Sequence, residues 1–555
     1  MLHARKETFN RLHKTDHRTF VPIDKKKMKD DLLNLINPSI PLPSSSLDTT
    51  PDEKGKGNVS KRTGFLTTFA PHHTSFTLSM TGESISPEFK ELDYSQRLKV
   101  VYNHNYDKIP RLAHGLDRVL EERGVHPVVG HDGRPNFTPF LSQIHDFDSL
   151  ILHSGYMKPS QDQKLLSMAR DNGCRYLSST SSITSVLAKL YFTFSSKFTM
   201  NATSMSSGFQ KVSTFTRRLE RPISILMHNS NGVWAIDNNQ GNVDHANQIL
   251  MDLGHSLEKM LTLPEDEFND KLLKSRNDSP HVFDDAYTFS QFGNIMYRSQ
   301  IDCYSDKLKS QSKVFDLKTR ATRKIRMDVG EHESYLGYHL DNIVGPQGSF
   351  EKEFYDLSRS AGIKYSLQAR IGDMAGLFIC YHNTKRIFGS EFVSLDALED
   401  VVFWGKHIAN DSFNVTNSLL QIILDTMASE MDPKYKYRLM LNEVRYNRGT
   451  PRLDIYVEEM SVSETFEHRS FSYYQQTEVA AEEAKQIVNP VKLYSLRLSS
   501  TINDFKIHGP LHYLPDDQLK VYYNFERVDT IPREQMLISY AEALRESELY
   551  NEFLG

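Results

Sequence analysis

The chain has 555 residues, of which 39% are apolar, 11% aromatic and 25% charged, a composition that predicts a globular protein with a sizeable core. Collagen-like, mucin-like and fully disordered classes are excluded, and so is an integral membrane class, because apolar stretches such as 375–381 are too short to span a bilayer. The net charge of −5 excludes a polycationic chain, so any nucleic-acid surface must be a local basic patch.

The first 62 residues are predicted to be a basic segment followed by a disordered linker. Residues 1–29 carry nine Lys/Arg against three acids, and 37–62 are rich in Pro and Ser/Thr with few bulky apolar side chains. A matrix-targeting sequence and a solvated basic tail are both open interpretations of the basic part. Ordered structure is expected from about residue 90, with an α/β region over 90–225.

An amphipathic helix is predicted over 243–263. His255 and Glu258 are three residues apart and therefore neighbours beside its apolar stripe. A flank histidine with a solvated glutamate is the plain interpretation of that pair. The stripe recurs at three- and four-residue steps and consists of Ile249, Leu250, Leu253, Leu257, Met260 and Leu261.

A hairpin is predicted next, with strands at 293–304 and 313–319 joined by a polar turn at 305–312. If it is symmetric about residue 309, Asp302 lies opposite Asp316, and period two puts Lys318 on the face of Asp316. Facing carboxylates need a compensating cation, and together with the backbone carbonyl of Leu317 they suit Mg²⁺ or Mn²⁺. The alternative is an exposed hairpin whose acids face solvent.

A basic track follows the lysine directly. The seven residues 320–326 contain four cations, which favours a path for backbone phosphates close to the carboxylates, with Arg320 and Arg323 as the main candidates. A solvated charge run is the alternative. A separate set, Arg111, His114 and Arg118 at an i, i+3, i+7 spacing, is a candidate pocket for a terminal phosphate or an ordinary solvated helix face.

These motifs resemble the PD-(D/E)XK nuclease superfamily, in which a strand-end carboxylate precedes an acid-x-Lys strand. GHSLEKML (254–261), QIDCY (300–304) and VFDLKT (314–319) resemble the RecB-type subgroup in order. That resemblance implies His255 as an extra metal ligand, with Glu258 assisting. Gln368 matches the first residue of a Gln-x-x-x-Tyr element that contacts nucleic acid, but position 372 is Gly, so a polar core residue remains an alternative.

Longer runs between 100 and 400 resemble a family of fungal mitochondrial RNA 5′-end processing proteins. That family implies a 5′-to-3′ exoribonuclease acting on single-stranded RNA in the matrix, peripherally associated with the inner membrane and linked to the mitochondrial RNA polymerase. The matching runs include 109–120, 136–141, 176–192, 251–262, 314–321 and 364–389.

The resemblance also implies the fold class, an elaborated α/β protein with a restriction-endonuclease-like core. The core, a mixed central sheet flanked by helices, is expected at 226–400. A C-terminal α+β region at 401–555, with a helix at 418–428 and a strand at 452–460, would complete or flank it.

The expected chemistry is metal-assisted phosphodiester hydrolysis. Mg²⁺ or Mn²⁺ would be held by His255, Asp302, Asp316 and the carbonyl of Leu317, and Lys318 would orient or deprotonate the attacking water. Two alternatives stay open, a non-catalytic RNA-binding partner of the transcription machinery and a mitochondrial single-stranded DNA exonuclease.

Overall fold

A computed structural model describes most of the chain from residue 66 onward. The described ranges are 66–69, 76–81, 84–102, 106–130, 132–151, 157–196, 199–210, 213–239, 245–444, 452–461 and 478–553. All of them belong to one unit of the fold, Arg62–Gly555. The basic segment and linker predicted over 1–62 lie outside the described residues.

The strands occur along the whole described part of the chain. They are β1 Leu66–Phe69, β2 Phe76–Thr81, β3 Lys90–Glu91, β4 Lys99–Tyr102, β5 His126–Pro127, β6 Tyr176–Ser179, β7 Ile223–Ser230, β8 Val233–Asn238, β9 Ala286–Phe292, β10 Ile295–Ile301, β11 Cys303–Tyr304, β12 Val314–Ala321, β13 Gly376–His382, β14 Ile387–Ser394, β15 Lys436–Val444, β16 Arg452–Met460, β17 Val491–Ile502, β18 Phe505–His508 and β19 Leu519–Arg527.

The helices are interspersed with these strands, together with short 3-10 turns. They are α1 Gln163–Asp171, α2 Thr180–Ser195, α3 Ser207–Gln210, α4 His245–Thr262, α5 Glu265–Leu272, α6 Arg323–Met327, α7 Phe350–Leu357, α8 Ile363–Ile371, α9 Leu395–Phe403, α10 Lys406–Ala428, α11 Glu478–Gln486 and α12 Arg533–Phe553. Within the described ranges, none of them has the length and apolarity needed to cross a bilayer.

The strands form two sheets. The larger has fourteen strands, with the path β1-β2-β18-β17-β16-β15-β7-β8-β6-β10-β9-β4 and with β19 and β3 attached through β17. The smaller has the order β11-β12-β13-β14-β5. Both mix parallel and antiparallel pairs, since β6 is parallel to β8 and β10, and β12 is parallel to β13. The predicted α/β class with mixed sheets and flanking helices is confirmed.

The C-terminal strands join the larger sheet. β15 pairs with β7 and with β16, and β17 and β19 continue the pairing. The helix and strand predicted at 418–428 and 452–460 are confirmed as parts of α10 and β16. The domain boundaries at 225 and 400 stay predictions.

The two strands of the predicted hairpin pair in the expected register, but the first of them is shorter than predicted. Cys303 lies opposite Phe315 and Tyr304 opposite Val314, as symmetry about residue 309 requires. The single strand predicted over 293–304 is wrong, because β10 ends at Ile301 in the larger sheet and β11 begins at Cys303 in the smaller one. Asp302 occupies the break between the two sheets.

Helix α4 packs its apolar stripe on the smaller sheet. Leu253, Leu257, Met260 and Leu261 are buried against Phe315, Leu317, Phe378 and Cys380 of β12 and β13. Leu250 is half-buried, and the side chain of Ile249 is outside the described residues. Alternation along β12 therefore sends Phe315 and Leu317 toward α4 and leaves Asp316 and Lys318 on the opposite face.

Gly376 is required where β13 starts beside β14. A Cβ atom there would lie 2.3 Å from the carbonyl oxygen of Val393 and 2.8 Å from the Cα atom of Ser394. Both contacts are with backbone, so they cannot be relieved by a side-chain rotation.

We expect Gly376→Ala to lower the free energy of unfolding by about 3 kcal/mol, because the added methyl group pushes β13 away from β14. Urea unfolding followed by circular dichroism measures the change. Gly330→Ala is the control, because no heavy atom lies within 4 Å of a Cβ atom at that position. Equal stability of the two variants would contradict the packing described for β13.

Candidate functional site

Strand β12 and helix α8 together hold one buried carboxylate. Asp316 has no exposed surface; its Oδ2 atom lies 2.7 Å from Nζ of Lys318, and its Oδ1 atom accepts a hydrogen bond of 3.0 Å from Nε2 of Gln368. Lys318 is two residues further along the same strand face, as predicted. Its ammonium also lies 5.3 Å from the centroid of the Tyr365 ring on α8.

Asp302 is fixed beside this pair by the main chain of β12. Its Oδ2 atom accepts a hydrogen bond of 2.9 Å from the backbone N–H of Leu317. That contact is possible because the chain leaves the larger sheet at Ile301 and enters the smaller one at Cys303. The aspartate at the break, Asp302, is therefore brought beside Asp316 of β12 in the smaller sheet.

The electrostatics of the site centre on Asp316 and Lys318. Burial raises the pKa of Asp316 well above its usual value and the Asp302 carboxylate adds to the rise, whereas the Lys318 ammonium opposes it. Burial alone would lower the pKa of Lys318, but the carboxylates of Asp316 and Asp302 outweigh it and raise that pKa. Lys318 is therefore an ammonium here, suited to orienting water or stabilising negative charge rather than to accepting a proton.

The sequence predicts a divalent cation at this site, because two carboxylates are expected to face each other there. Oδ2 of Asp316 is buried and, within the described part of the chain, accepts no aligned hydrogen bond although Lys318 is near. Oδ2 of Asp316, which the Lys318 ammonium approaches to 2.7 Å, lies next to a second carboxylate and would suit a hard cation such as Mg²⁺ or Mn²⁺ if the ammonium moved aside. The donor chemistry therefore fits the metal.

A complete ligand set is not assembled in this conformation. Among the residues that the structure describes, no three His, Cys, Asp or Glu side chains form a group that could hold a metal ion. Nδ1 of His255 lies 3.7 Å from Oε2 of Glu258, and the imidazole is 54% exposed. The hydrogen bond with Glu258 raises the pKa of His255. The role of His255 as a ligand stays a prediction.

An acidic cleft adjoins Asp302. Glu258, Asp302 and Leu317 line it together, and the assisting role predicted for Glu258 stays a prediction. Two further acids, Asp284 and Asp285, were missed because they precede β9 in a loop without any periodic pattern. We use the name acidic cleft for the surface formed by Glu258, Asp284, Asp285 and Asp302.

The basic track is largely neutralised by helix α7. The buried Glu353 carboxylate accepts hydrogen bonds from the backbone N–H of Arg323, at 2.7 Å, and from the Arg326 guanidinium, at 3.1 Å. Asp356 lies 3.9 Å from Nε of Arg323, whose side chain stays 57% exposed. Glu353 was missed by sequence reasoning, since it comes thirty residues after the track it neutralises.

Arg320 is buried beneath that track. Its side chain is 8% exposed and its Nε atom lies 3.8 Å from Oε2 of Glu353. Nε and Nη2 donate no hydrogen bond within the described residues. Burial, and secondly Arg326, lowers the pKa of Arg320 to about 10. The roles predicted for Arg320 and Arg323 in holding phosphates stay predictions.

The second candidate set does not form a helix face. Arg111 lies 3.2 Å from Asp306, His114 is hydrogen-bonded to the carbonyl of Met260, and Arg118 donates to the carbonyl of Asn136. The ordered turn in this stretch is a 3-10 helix at Leu116–Leu120. Each of the three side chains is occupied by a different structural contact.

A family model of the mitochondrial protein Pet127 matches residues 156–425. The mRNA degradation protein pet127, mitochondrial, of Schizosaccharomyces pombe is 34% identical over 376 residues, which cover 66% of this chain and 70% of the relative. The putative mitochondrial translation system component PET127 of Saccharomyces cerevisiae is 34% identical over 326 residues, 54% of this chain and 39% of that protein.

Two solved structures show a distant likeness. Candida albicans Rai1 in complex with pU5-Mn2+ is 10% identical with a TM-score of 0.32, covering 72% of this chain and 94% of that one. Scheffersomyces stipitis Rai1 is 9% identical with a TM-score of 0.32, covering 67% and 93%. Scores this low support no statement about activity.

We expect Glu353→Gln to lower the free energy of unfolding by about 3 kcal/mol, because the change leaves Arg320 and Arg326 next to a neutral group in a buried place. Thermal and urea unfolding give the measurement. Glu331→Gln, a change of the same type at an exposed position, serves as the control and should stay within about 0.5 kcal/mol of the unchanged protein. A Glu353→Gln protein as stable as the control would show that the buried network does not need this charge.

Proposed function

The chain belongs to the Pet127 family, and from that premise we propose that it is a metal-dependent 5′-to-3′ exoribonuclease that processes and degrades mitochondrial transcripts. The observation that carries the proposal is the buried Asp316 carboxylate held between Lys318 and Gln368, with Asp302 beside it. Two carboxylates and a lysine on adjacent strands suit hydrolysis of a phosphodiester.

Each residue has a task that follows from its position. Asp302, Asp316, the carbonyl of Leu317, and His255 and Glu258 of α4 are the groups that would hold Mg²⁺ or Mn²⁺. When bound, the metal would supply Lewis-acid polarisation of the phosphate and an acidified water. Lys318 positions the attacking water and stabilises the charge that develops on the phosphate oxygens. Gln368 fixes the rotamer of Asp316 through its 3.0 Å hydrogen bond.

The substrate would be held by cations of the basic track whose side chains are not fully neutralised by the acids of α7. Arg323 keeps more than half of its side chain exposed, so a phosphate next to the scissile one would lie against it. Arg320 keeps two nitrogen donors without a hydrogen bond in the described residues, but its side chain is 8% exposed, so it would reach a phosphate only after Glu353 moves away.

The cellular setting rests on the relatives. Both relatives are named as mitochondrial proteins. A matrix location, peripheral association with the inner membrane and a link to the mitochondrial RNA polymerase are the parts of the proposal that come from the family alone.

A second candidate function is a non-catalytic RNA-binding partner of the mitochondrial transcription machinery. It is favoured by one observation, that Nζ of Lys318 lies 2.7 Å from Oδ2 of Asp316, where the metal of a nuclease would bind. A nuclease fold that binds RNA without cutting it needs the cations near Arg323 but not the charge on Asp316. The two functions therefore differ in how they respond to loss of that carboxylate.

We expect the full chain to shorten single-stranded RNA with a 5′-monophosphate from its 5′ end when Mg²⁺ or Mn²⁺ is present. Asp316→Asn should reduce the rate at least about 1,000-fold, because the charge that binds the metal is lost. RNA labelled at the 3′ end and resolved on denaturing gels measures the rate and the direction.

Asp306→Asn is the matched control, since Asp306 lies in the same hairpin but is exposed and pairs with Arg111. No shortening of RNA by the unchanged protein would favour the binding role. Faster shortening of single-stranded DNA than of RNA under the same conditions would favour the DNA exonuclease.

Mn²⁺ should raise the thermal midpoint of the full chain, because a ligand that binds only the folded state stabilises it. Asp302→Asn and Asp316→Asn should abolish the rise. His255→Ala should weaken Mn²⁺ binding about tenfold if the imidazole becomes a ligand when the metal arrives. Calorimetric titration with Mn²⁺ gives the affinities, and an unchanged affinity in His255→Ala would remove this residue from the ligand set.

A further inference from the structure

A groove of about 800 Å³ lies at the free edge of the smaller sheet. Its floor is formed by β5 and the start of β14, and its walls by the turn before β14 and by the segment that leads into α7. We call it the edge groove and define it by Pro127, His339, Asn342, Phe350, Arg386 and Phe388.

The lining of the edge groove combines cations with ring surfaces. Arg386 is exposed and has no ion pair or side-chain hydrogen bond with any described residue, while the neighbouring Lys385 is shared with Asp146. The rings of His339 and Phe388 lie 5.8 Å apart. Asp341 is the one acid in the lining. Cations that follow a backbone, together with rings on which bases stack, are the features of grooves that bind single-stranded nucleic acid.

The edge groove lies on the same sheet face as the candidate site. Phe350 in the groove contacts the ring of Tyr381, and Tyr381 is the register partner of Arg320 on β12. Arg320 and Lys318 share one face of that strand, because they are two residues apart. Helix α7 covers this face between the two places, since Phe350 packs on Tyr381 and Glu353 contacts Arg320, so a strand that links the groove to Lys318 has to pass around α7.

The distance between the two places follows from the strand register. Lys318 is aligned through Ile379 with Glu391 of β14, two strand spacings or about 10 Å away. Phe388 is three residues from Glu391 along β14, which adds about 10 Å at right angles. The diagonal between the Cα positions is about 14 Å, and because buried residues such as Ile379 lie on it, a strand on the surface needs a longer path of several nucleotides.

We propose that the edge groove binds the single-stranded segment of the nucleic acid substrate that extends beyond the candidate site. This inference rests on the proposed function, since it takes the same polymer as substrate. Arg386 contacts a backbone phosphate, and the rings of Phe388 and His339 stack on bases. Chains long enough to reach the groove therefore bind more tightly than chains that fill only the site at Lys318.

Binding of oligouridylates of 4, 8 and 12 nucleotides, labelled with fluorescein at the 3′ end, tests the proposal. The full chain carries Lys318→Gln, which keeps the carboxylates proposed to bind the metal while removing the group proposed to position the water, so that the RNA stays intact. Mn²⁺ is present throughout, and fluorescence anisotropy gives Kd at several salt concentrations. We expect Arg386→Glu to raise Kd for the 12-mer about tenfold and to reduce the salt slope by about one, with no change for the 4-mer.

Phe388→Leu tests the stacking part, because it keeps an apolar side chain in the partly buried position while removing the ring. This variant should raise Kd for the 12-mer at least about fivefold without changing the salt slope of binding. Lys434→Glu is the control for charge reversal, at an exposed position before β15 in the larger sheet. Circular dichroism confirms that each variant is folded.

Equal Kd values for Arg386→Glu and Lys434→Glu at every length would overturn the inference. It would also be overturned if Arg386→Glu raised Kd for the 4-mer as much as for the 12-mer. The proposed function is judged separately by RNA shortening in the protein that keeps Lys318. If RNA is shortened but Kd does not depend on its length, the role of the edge groove is rejected and the proposed function is kept. If Kd depends on length but no RNA is shortened, the role of the edge groove is kept and the exonuclease is rejected.

Discussion

The buried carboxylate of Asp316 is the constraint on which the arrangement of the site depends. A charged carboxylate without exposed surface is costly unless a cation and hydrogen bonds compensate it. Here the ammonium comes from the same strand, and the amide comes from Gln368 on α8. Strand β12 and helix α8 therefore meet at this carboxylate, with Nε2 of Gln368 on its Oδ1 atom and Nζ of Lys318 beside its Oδ2 atom.

The break at Asp302 gives that carboxylate its neighbour. Had the chain continued as one strand from β10, residue 302 would have been one more position in the larger sheet, paired away from β12. The change of sheet instead lets Asp302 accept the backbone N–H of Leu317. The second acid is thus held by the main chain, and its position depends little on the packing of flexible side chains.

Local patterns predicted what lies within a few residues of the motif. The register of β11 and β12, the shared face of Asp316 and Lys318 and the stripe of α4 follow from period two and period 3.6 alone. The division into two sheets was not predictable in this way, because β10 pairs with β6 and β12 with β13, partners more than fifty residues distant. For the same reason the pattern gave no sign that α7 covers Arg320 with Glu353.

The internal neutralisation of the basic track changes how a polyanion would approach this chain of net charge −5. Glu353 and Asp356 form ion pairs with the cations that follow Lys318. The acidic cleft beside Asp302 repels phosphates. Under the proposed function, a bound divalent cation would reverse the sign of the charge near the carboxylates and attract phosphate there. Further from the site, exposed cations such as Arg386 supply the rest, and their contribution falls with salt because they release counterions. Binding would then need both parts, one dependent on metal and one on ionic strength, which is why the two are separable by experiment.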